Sequence, residues 1–210
     1  MSKPRSDFDA RALTWDDDPM KTARANAVAE GIRAGISFAP TMKGLEFGCG
    51  TGLLSFALRN DLEHITLADT SDGMLGVLRE KIASNGIVHM TPIRIEENSS
   101  EFAAQSFDLI YSLMTLHHIP DTRATLCSFY DWMAPGGHLC IADLDAEDGS
   151  FHNHDTSVHN GFERQALADL ATAAGFDTVR FSNVFRIQKG TPEKEYPVFL
   201  MIADKRHPRS

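Results

Sequence analysis

Cysteine is scarce in this chain of 210 residues: Cys49, Cys127 and Cys140 lie far apart, and none belongs to a Cys-x-x-Cys pair. That scarcity excludes a disulfide scaffold and fits buried thiols in a reducing compartment, so a cytoplasmic location is expected. Long apolar runs are also missing. No stretch approaches the roughly 18 apolar residues of a membrane span, and the opening MSKPRSDFDA lacks the apolar segment of a signal peptide. Basic residues are the minority, 20 Lys and Arg against 29 Asp and Glu, for a formal net charge of −9. A chain of that sign repels phosphate backbones and shows no basic patch to offset the repulsion, so no nucleic-acid partner is expected. No repeat, low-complexity tract or linker divides the sequence. With 42% hydrophobic residues it is long enough to bury a sizeable core as a single domain, residues 1–210.

What is present is an alternation of elements. Residues 43–48 (KGLEFG), 64–69 (HITLAD), 87–95 (IVHMTPIRI), 106–113 (SFDLIYSL) and 138–143 (HLCIAD) are short apolar or β-branched runs that read as strands. Between them, 51–60 has helical content, and a helix capped by Ser71 and ended by Asn85-Gly86 carries Met74, Leu75, Leu78 and Ile82 on its apolar face. Residues 120–133 form another helix, with Leu126, Phe129, Tyr130 and Met133 on one side, and Pro135-Gly136-Gly137 reads as the turn into the strand at 138. Ahead of the first strand, Asp18 caps a helix that Pro19 starts, with Met20, Ala23, Ala27 and Ile36 near one face. Strands alternating with helices predict βαβ crossovers and a parallel sheet covered on both faces. The end differs. After a helix over 162–174 closed by Gly175, the segments 177–185 and 196–204 follow each other across a short loop, which predicts an antiparallel hairpin at one sheet edge. The expected fold class is α/β: a doubly wound, mostly parallel seven-stranded sheet with one reversed C-terminal strand.

The informative segment is Glu46-Phe-Gly-Cys-Gly-Thr-Gly52. A glycine-rich turn after the first strand lets backbone N–H groups approach a ligand closely at the carboxyl end of the sheet. On glycine count alone that ligand is a candidate dinucleotide. The dinucleotide fingerprint needs glycine at its first, third and sixth positions, however, and counting from Gly48 the sixth position is Leu53. No Gly-Lys-Ser/Thr follows either, so the phosphate-binding P-loop pattern fails too.

The pattern E-x-G-x-G-x-G resembles motif I of the class I S-adenosylmethionine-dependent methyltransferases, and further pieces follow in that family's order. Asp69 ends the second strand 17 residues after Gly52, within Ala68-Asp69-Thr70-Ser71. The resemblance implies that its carboxylate accepts hydrogen bonds from the two ribose hydroxyls of the cofactor. Glu96 stands ten residues before Ser106-Phe107-Asp108 where the family has Asp after Gly, which makes it the counterpart of the adenine-edge acid. Leu116-His117-His118-Ile119-Pro120-Asp121 and Ala134-Pro135-Gly136-Gly137 are also usual there. The likeness runs from Lys43 to Asp143 and is nearest to the small-molecule group that includes the ubiquinone and menaquinone biosynthetic enzymes. The opening Phe8-Asp9-x-x-Ala12-x-x-Trp15-Asp16 is similar to that group's lead-in, a helical segment folded over the cofactor.

The resemblance divides the chain into a helical lid segment (1–40), a cofactor-binding core (43–145) and a substrate-side loop, helix and hairpin (146–210). It implies S-adenosylmethionine contacts at Glu46, Gly48, Cys49, Gly50, Gly52, Asp69, Thr70, Met74, Glu96, Glu97 and Ser112, joined by Trp15 as apolar cover and Arg24 as partner of the cofactor's carboxylate. The expected activity is methyl transfer to a small-molecule acceptor by in-line displacement, with His117 and His118 as candidate bases where the acceptor carries a proton. A nicotinamide-dependent oxidoreductase and a non-catalytic S-adenosylmethionine-binding protein are the alternatives. Nine histidines invite a metal, and His152, His154 and His159 cluster with Asp155, yet no thiolate lies near them. The segment is expected to be a polar, substrate-facing loop with no metal.

Overall fold

The computed structural model describes residues 5–96 and 102–207. Its helices are α1 (Arg5–Arg11), α2 (Pro19–Gly35), α3 (Leu53–Leu58), α4 (Asp72–Ser84), α5 (Thr122–Trp132) and α6 (Arg164–Ala174). Its strands are β1 (Lys43–Phe47), β2 (His64–Asp69), β3 (Met90–Arg94), β4 (Phe107–Leu113), β5 (Met133–Leu144), β6 (Asp177–Lys189) and β7 (Lys194–Asp204). The seven strands form one sheet in the order β3-β2-β1-β4-β5-β7-β6. Pairings from β3 through β5 are parallel, and β7 runs antiparallel to both β5 and β6. The expected α/β class and edge hairpin are therefore observed. The strand order reverses between β1 and β4, and ligands of such sheets bind outside the carboxyl ends of the strands at that point.

Each face of the sheet carries its own core. On one side α2, α3 and α4 deliver Val28, Ile32, Leu54, Leu58, Leu75 and Leu78 onto the sheet. On the other, α5 and α6 deliver Leu126, Phe129, Trp132, Leu167 and Ala171. The face assigned to α2 needs correction: Met20 and Ala23 are exposed, and the buried stripe is Ala25, Val28, Ala29 and Ile32, continued by Ile36. Those positions follow the i, i+3, i+4, i+7 spacing that faces a sheet, whereas Met20 sits on the solvent side of the first turn. Gly31 and Gly35 fit the same side, because a Cβ there would meet Val184 and Ile202 side chains at 2.8 and 2.2 Å.

Pro135-Gly136-Gly137 also differs from its expected role. It lies inside β5, where the pairing with β4 jumps from Phe107↔Met133 to Leu109↔His138. The segment is a bulge rather than a helix-to-strand turn, which glycine and a missing proline N–H permit within a strand. The caps match expectation: Asp18 accepts from Met20 N–H, Ser71 from Met74 N–H, and Gly175 closes α6 at φ +111°.

Candidate active site

The glycine loop leaves β1 and turns over the end of β2. Gly48 and Cys49 N–H donate to the Ala68 carbonyl at 2.8 and 3.1 Å, and Gly50 N–H donates to Asp69 Oδ2 at 2.7 Å. All three glycines have positive φ, but their surroundings differ. A Cβ on Gly48 would meet Thr115 at 2.1 Å, and one on Gly52 would meet Leu78 at 2.6 Å. A Cβ on Gly50 would meet nothing within 4 Å. Gly48 and Gly52 pack the loop against the protein, and Gly50 alone fronts open space.

Asp69 serves the loop and the next helix together, since its other oxygen accepts from Ser71 N–H at 2.9 Å. Burial raises the Asp69 carboxyl above its ordinary value, opposed by the N–H groups of Ser71, Gly50 and Thr70. Thr70 is half-buried, while Met74 and Ser112 are buried in α4 and β4. Cys49 is buried beneath the loop, and burial pushes its thiol well up, so it stays neutral. Glu96 lies exposed at the end of β3 and pairs with Arg94 at 2.5 Å. Glu97 lies outside the described residues.

Glu46 points into the protein. Its Oε2 accepts from Ser55 N–H at 3.1 Å and from the Ser55 hydroxyl, which lies 2.6 Å from the Tyr111 hydroxyl. Burial pushes this carboxyl up to about 8 despite the Ser55 hydrogen bonds. The chain Glu46–Ser55–Tyr111 thus ties β1, α3 and β4 together directly under the loop.

The N-terminal segment lies across this end of the sheet. Asp9 Oδ1 accepts from Gly73 N–H at 2.8 Å and from the Ser71 hydroxyl at 2.5 Å, capping α4 from outside. Asp16 accepts from the Thr51 hydroxyl at 2.6 Å and pairs with Lys81 at 2.6 Å, and Lys81 also donates to the Thr51 carbonyl. Trp15 packs beside Phe8 with the Lys21 ammonium 3.8 Å from its ring centroid. Arg24 on α2 has its Nε buried, with no hydrogen-bond partner among the described residues. Burial lowers the Arg24 guanidinium, and the carboxylates of Asp18 and Asp143 oppose that effect.

Beyond β4, the turn Met114–His118 returns to the loop, and the Thr115 hydroxyl donates to the Gly48 carbonyl at 3.1 Å. His117 is buried, its Nδ1 2.6 Å from Oδ1 of fully buried Asp143 on β5. Asp143 also accepts from Leu144 N–H at 2.8 Å and His117 N–H at 3.2 Å. Burial alone would raise the Asp143 carboxyl, but His117 and these N–H groups hold it below its ordinary value. The contact with Asp143 fixes the imidazole's orientation, and a neutral ring donating from Nδ1 has its lone pair at Nε2. The histidines of the 152–159 segment separate. His152 stacks beside His117 and His118 at 4.9 and 5.3 Å, His154 is exposed, and His159 bonds the Ile119 carbonyl at 2.9 Å.

Asp143, Thr51, Lys81 and Thr115 are not singled out from the sequence, and Asp9 and Asp16 enter there only as letters of the lead-in, with no role of their own. Asp143 had a signal: it is the one acid in the buried stretch from Leu139 to Leu144. The others act through contacts that only the fold creates.

Residues 45–139 match the family model described as a methyltransferase domain. The chain is 32% identical over 178 residues to the ubiquinone/menaquinone biosynthesis C-methyltransferase UbiE of Shewanella woodyi, covering 69% of this chain and 70% of that one. It is 29% identical over 174 residues to trans-aconitate 2-methyltransferase of Deinococcus radiodurans, 80% of this chain but 64% of that protein, so it spans less than two thirds of that relative's length. A putative methyltransferase solved in complex with the Haloferax volcanii Trm112 methyltransferase activator shares the fold at a TM-score of 0.76 and 18% identity, covering 95% of this chain and 98% of the other. The chain belongs to the class I S-adenosylmethionine-dependent methyltransferases.

Proposed function

We propose that this protein transfers the methyl group of S-adenosylmethionine to a small-molecule acceptor. The observation that carries this reading is the cradle at Gly50: a backbone loop at the topological switch point whose central position fronts open space. A nicotinamide oxidoreductase is not favoured, because the glycine spacing and the family both point elsewhere.

The residues present suit the cofactor. The Gly50 backbone fronts open space, Asp69 beside it offers an acceptor to a ribose hydroxyl, and the buried Arg24 Nε offers a donor to a carboxylate. The bound cofactor supplies a methyl group already activated by its sulfonium. The protein's work is then alignment, exclusion of water and, for an acceptor bearing a proton, its removal. His117, oriented by Asp143, takes that proton at Nε2, with His118 beside it at a ring separation of 4.1 Å. Residues 1–40 act as the lid, tied to the loop through Asp16 and to α4 through Asp9, with Trp15 as apolar cover.

Three free thiols, two of them buried, suit the cytoplasm, and among the described residues no helix is long and apolar enough to cross a membrane. Radiolabelled S-adenosylmethionine supplied with a small-molecule extract tests the activity. Label should enter an extractable small molecule with wild type and fall at least tenfold with His117→Asn. No label in any fraction, with cofactor bound, would leave only a binding protein.

A further inference from the structure

Three imidazoles meet where the turn after β4, the end of β5 and the loop 145–162 converge. One ring nitrogen from each of His117, His118 and His152 lies within 4.8 Å of the others. The ring centroids are 4.1, 4.9 and 5.3 Å apart, with Phe8 edge-on to His118 and Phe151 edge-on to His152. Three imidazoles so close can direct three nitrogen lone pairs at one cation. The supporting shell is of the kind metal sites use. His117 Nδ1 is held at 2.6 Å by buried Asp143, the carboxylate–histidine arrangement that fixes tautomer and leaves Nε2 for a metal.

The geometry points to a three-histidine site for a divalent transition-metal ion of the zinc type at His117, His118 and His152, with Asp143 orienting the first ligand. Imidazole nitrogens around tetrahedral Zn²⁺ at about 2.0–2.1 Å stand about 3.3 Å apart, so small side-chain rotations close the observed spacing. Three neutral nitrogens and no carboxylate or thiolate suit Zn²⁺ or Co²⁺ and disfavour Mg²⁺ or Ca²⁺, which take oxygen ligands. Three protein ligands leave a fourth position open, as catalytic zinc sites do. That position would take the oxygen or sulfur of a hydroxyl or thiol acceptor; with the ion bound, His117 Nε2 is a ligand and the acceptor's proton passes to water, whereas without the ion Nε2 is the base. The inference rests on the methyl-transfer reading only for what occupies the fourth position. Formation of the site is independent of it.

The test uses the full chain, treated with chelator and dialysed, then titrated with Co²⁺ alone. Wild type should develop the visible absorption of four-coordinate Co²⁺, saturating at one equivalent and displaced by one equivalent of Zn²⁺. His118→Gln and His152→Gln, both at half-buried positions, should each lose the band, and exposed His154→Ala should keep it. No band in wild type, a band retained in either Gln variant, or a band lost in His154→Ala would overturn the site. S-adenosylhomocysteine binding measured on the same samples separates the two claims: binding without a Co²⁺ band overturns the metal site alone, and a band without binding overturns the methyltransferase reading alone.

Discussion

Asp69 holds the centre of the glycine loop: its Oδ2 accepts the Gly50 N–H at 2.7 Å, while Oδ1 accepts from Ser71. The N–H groups of Gly50, Ser71 and Thr70 use three of the carboxylate's roughly four acceptor sites, so one carboxylate can shape the loop and still accept from a ribose hydroxyl. Asp69→Ala removes charge-assisted hydrogen bonds worth roughly 1.5–3 kcal/mol each, so cofactor affinity should fall at least tenfold by calorimetry. Asp69→Asn, which keeps one acceptor, should lose less. A 2′-deoxy analogue should bind wild type more weakly than the parent cofactor but lose little further against Asp69→Ala. Equal discrimination by both proteins would reduce Asp69 to a loop and helix cap.

Arg24 should read the amino-acid end of the cofactor. Arg24→Ala should weaken S-adenosylhomocysteine at least tenfold, the loss of a charge-assisted bond of roughly 1.5–3 kcal/mol. Methylthioadenosine, which lacks the carboxylate, should bind both proteins alike. If both ligands weaken together, Arg24 supports the fold rather than the ligand.

Glu46 makes stability depend on pH in an unusual direction. Its carboxyl is pushed up to about 8 in the folded protein from an ordinary 4.5, so the folded state binds the extra proton. The resulting stability is full below about 4.5 and is lost as pH rises through about 8, by at most about 1.4 kcal/mol per pH unit from this group. Glu46→Gln, a neutral residue of the same shape, should flatten that slope in denaturant titrations between pH 5 and about 8. An unchanged slope would mean that Glu46 is ionised throughout.

The N-terminal segment should behave as a lid rather than as core. Deleting residues 1–18 should leave a folded protein with weaker cofactor binding and faster exchange. Trp15 and Trp132 are the only indoles, and Trp132 is buried on α5 against Phe47 and Phe129. In a Trp132→Phe background, S-adenosylhomocysteine should shift the remaining emission and reduce quencher access. An insoluble truncation with an unresponsive Trp15 would make the segment part of the core.

The doubly wound sheet was legible in the sequence because strands buried on both faces must be continuous apolar runs, as HITLAD and HLCIAD are. The reversed strand was legible because the loop before β7 is too short to hold a crossover. Local signals misled where tertiary packing decides. Met20 looked like part of the α2 stripe, and Pro135-Gly136-Gly137 looked like a turn because nothing local marks a bulge. At the site, Gly50 and Asp69 could be placed because the loop and strand end are contiguous in sequence. The His117–Asp143 pair could not, since 26 residues and the β4–β5 register separate its members. Nor could the approach of His152 to His117, which depends on how the 145–162 loop folds back through the Asp145↔Phe162 bridge.

The central claim is that the open space at Gly50 receives S-adenosylmethionine. Equilibrium dialysis with labelled S-adenosylmethionine and labelled NAD, on wild type and Gly50→Val, tests it most directly. The account predicts that wild type retains S-adenosylmethionine and not NAD, and that Gly50→Val, still folded by circular dichroism, retains neither. Retention of NAD by wild type, or undiminished S-adenosylmethionine binding by Gly50→Val, would contradict it.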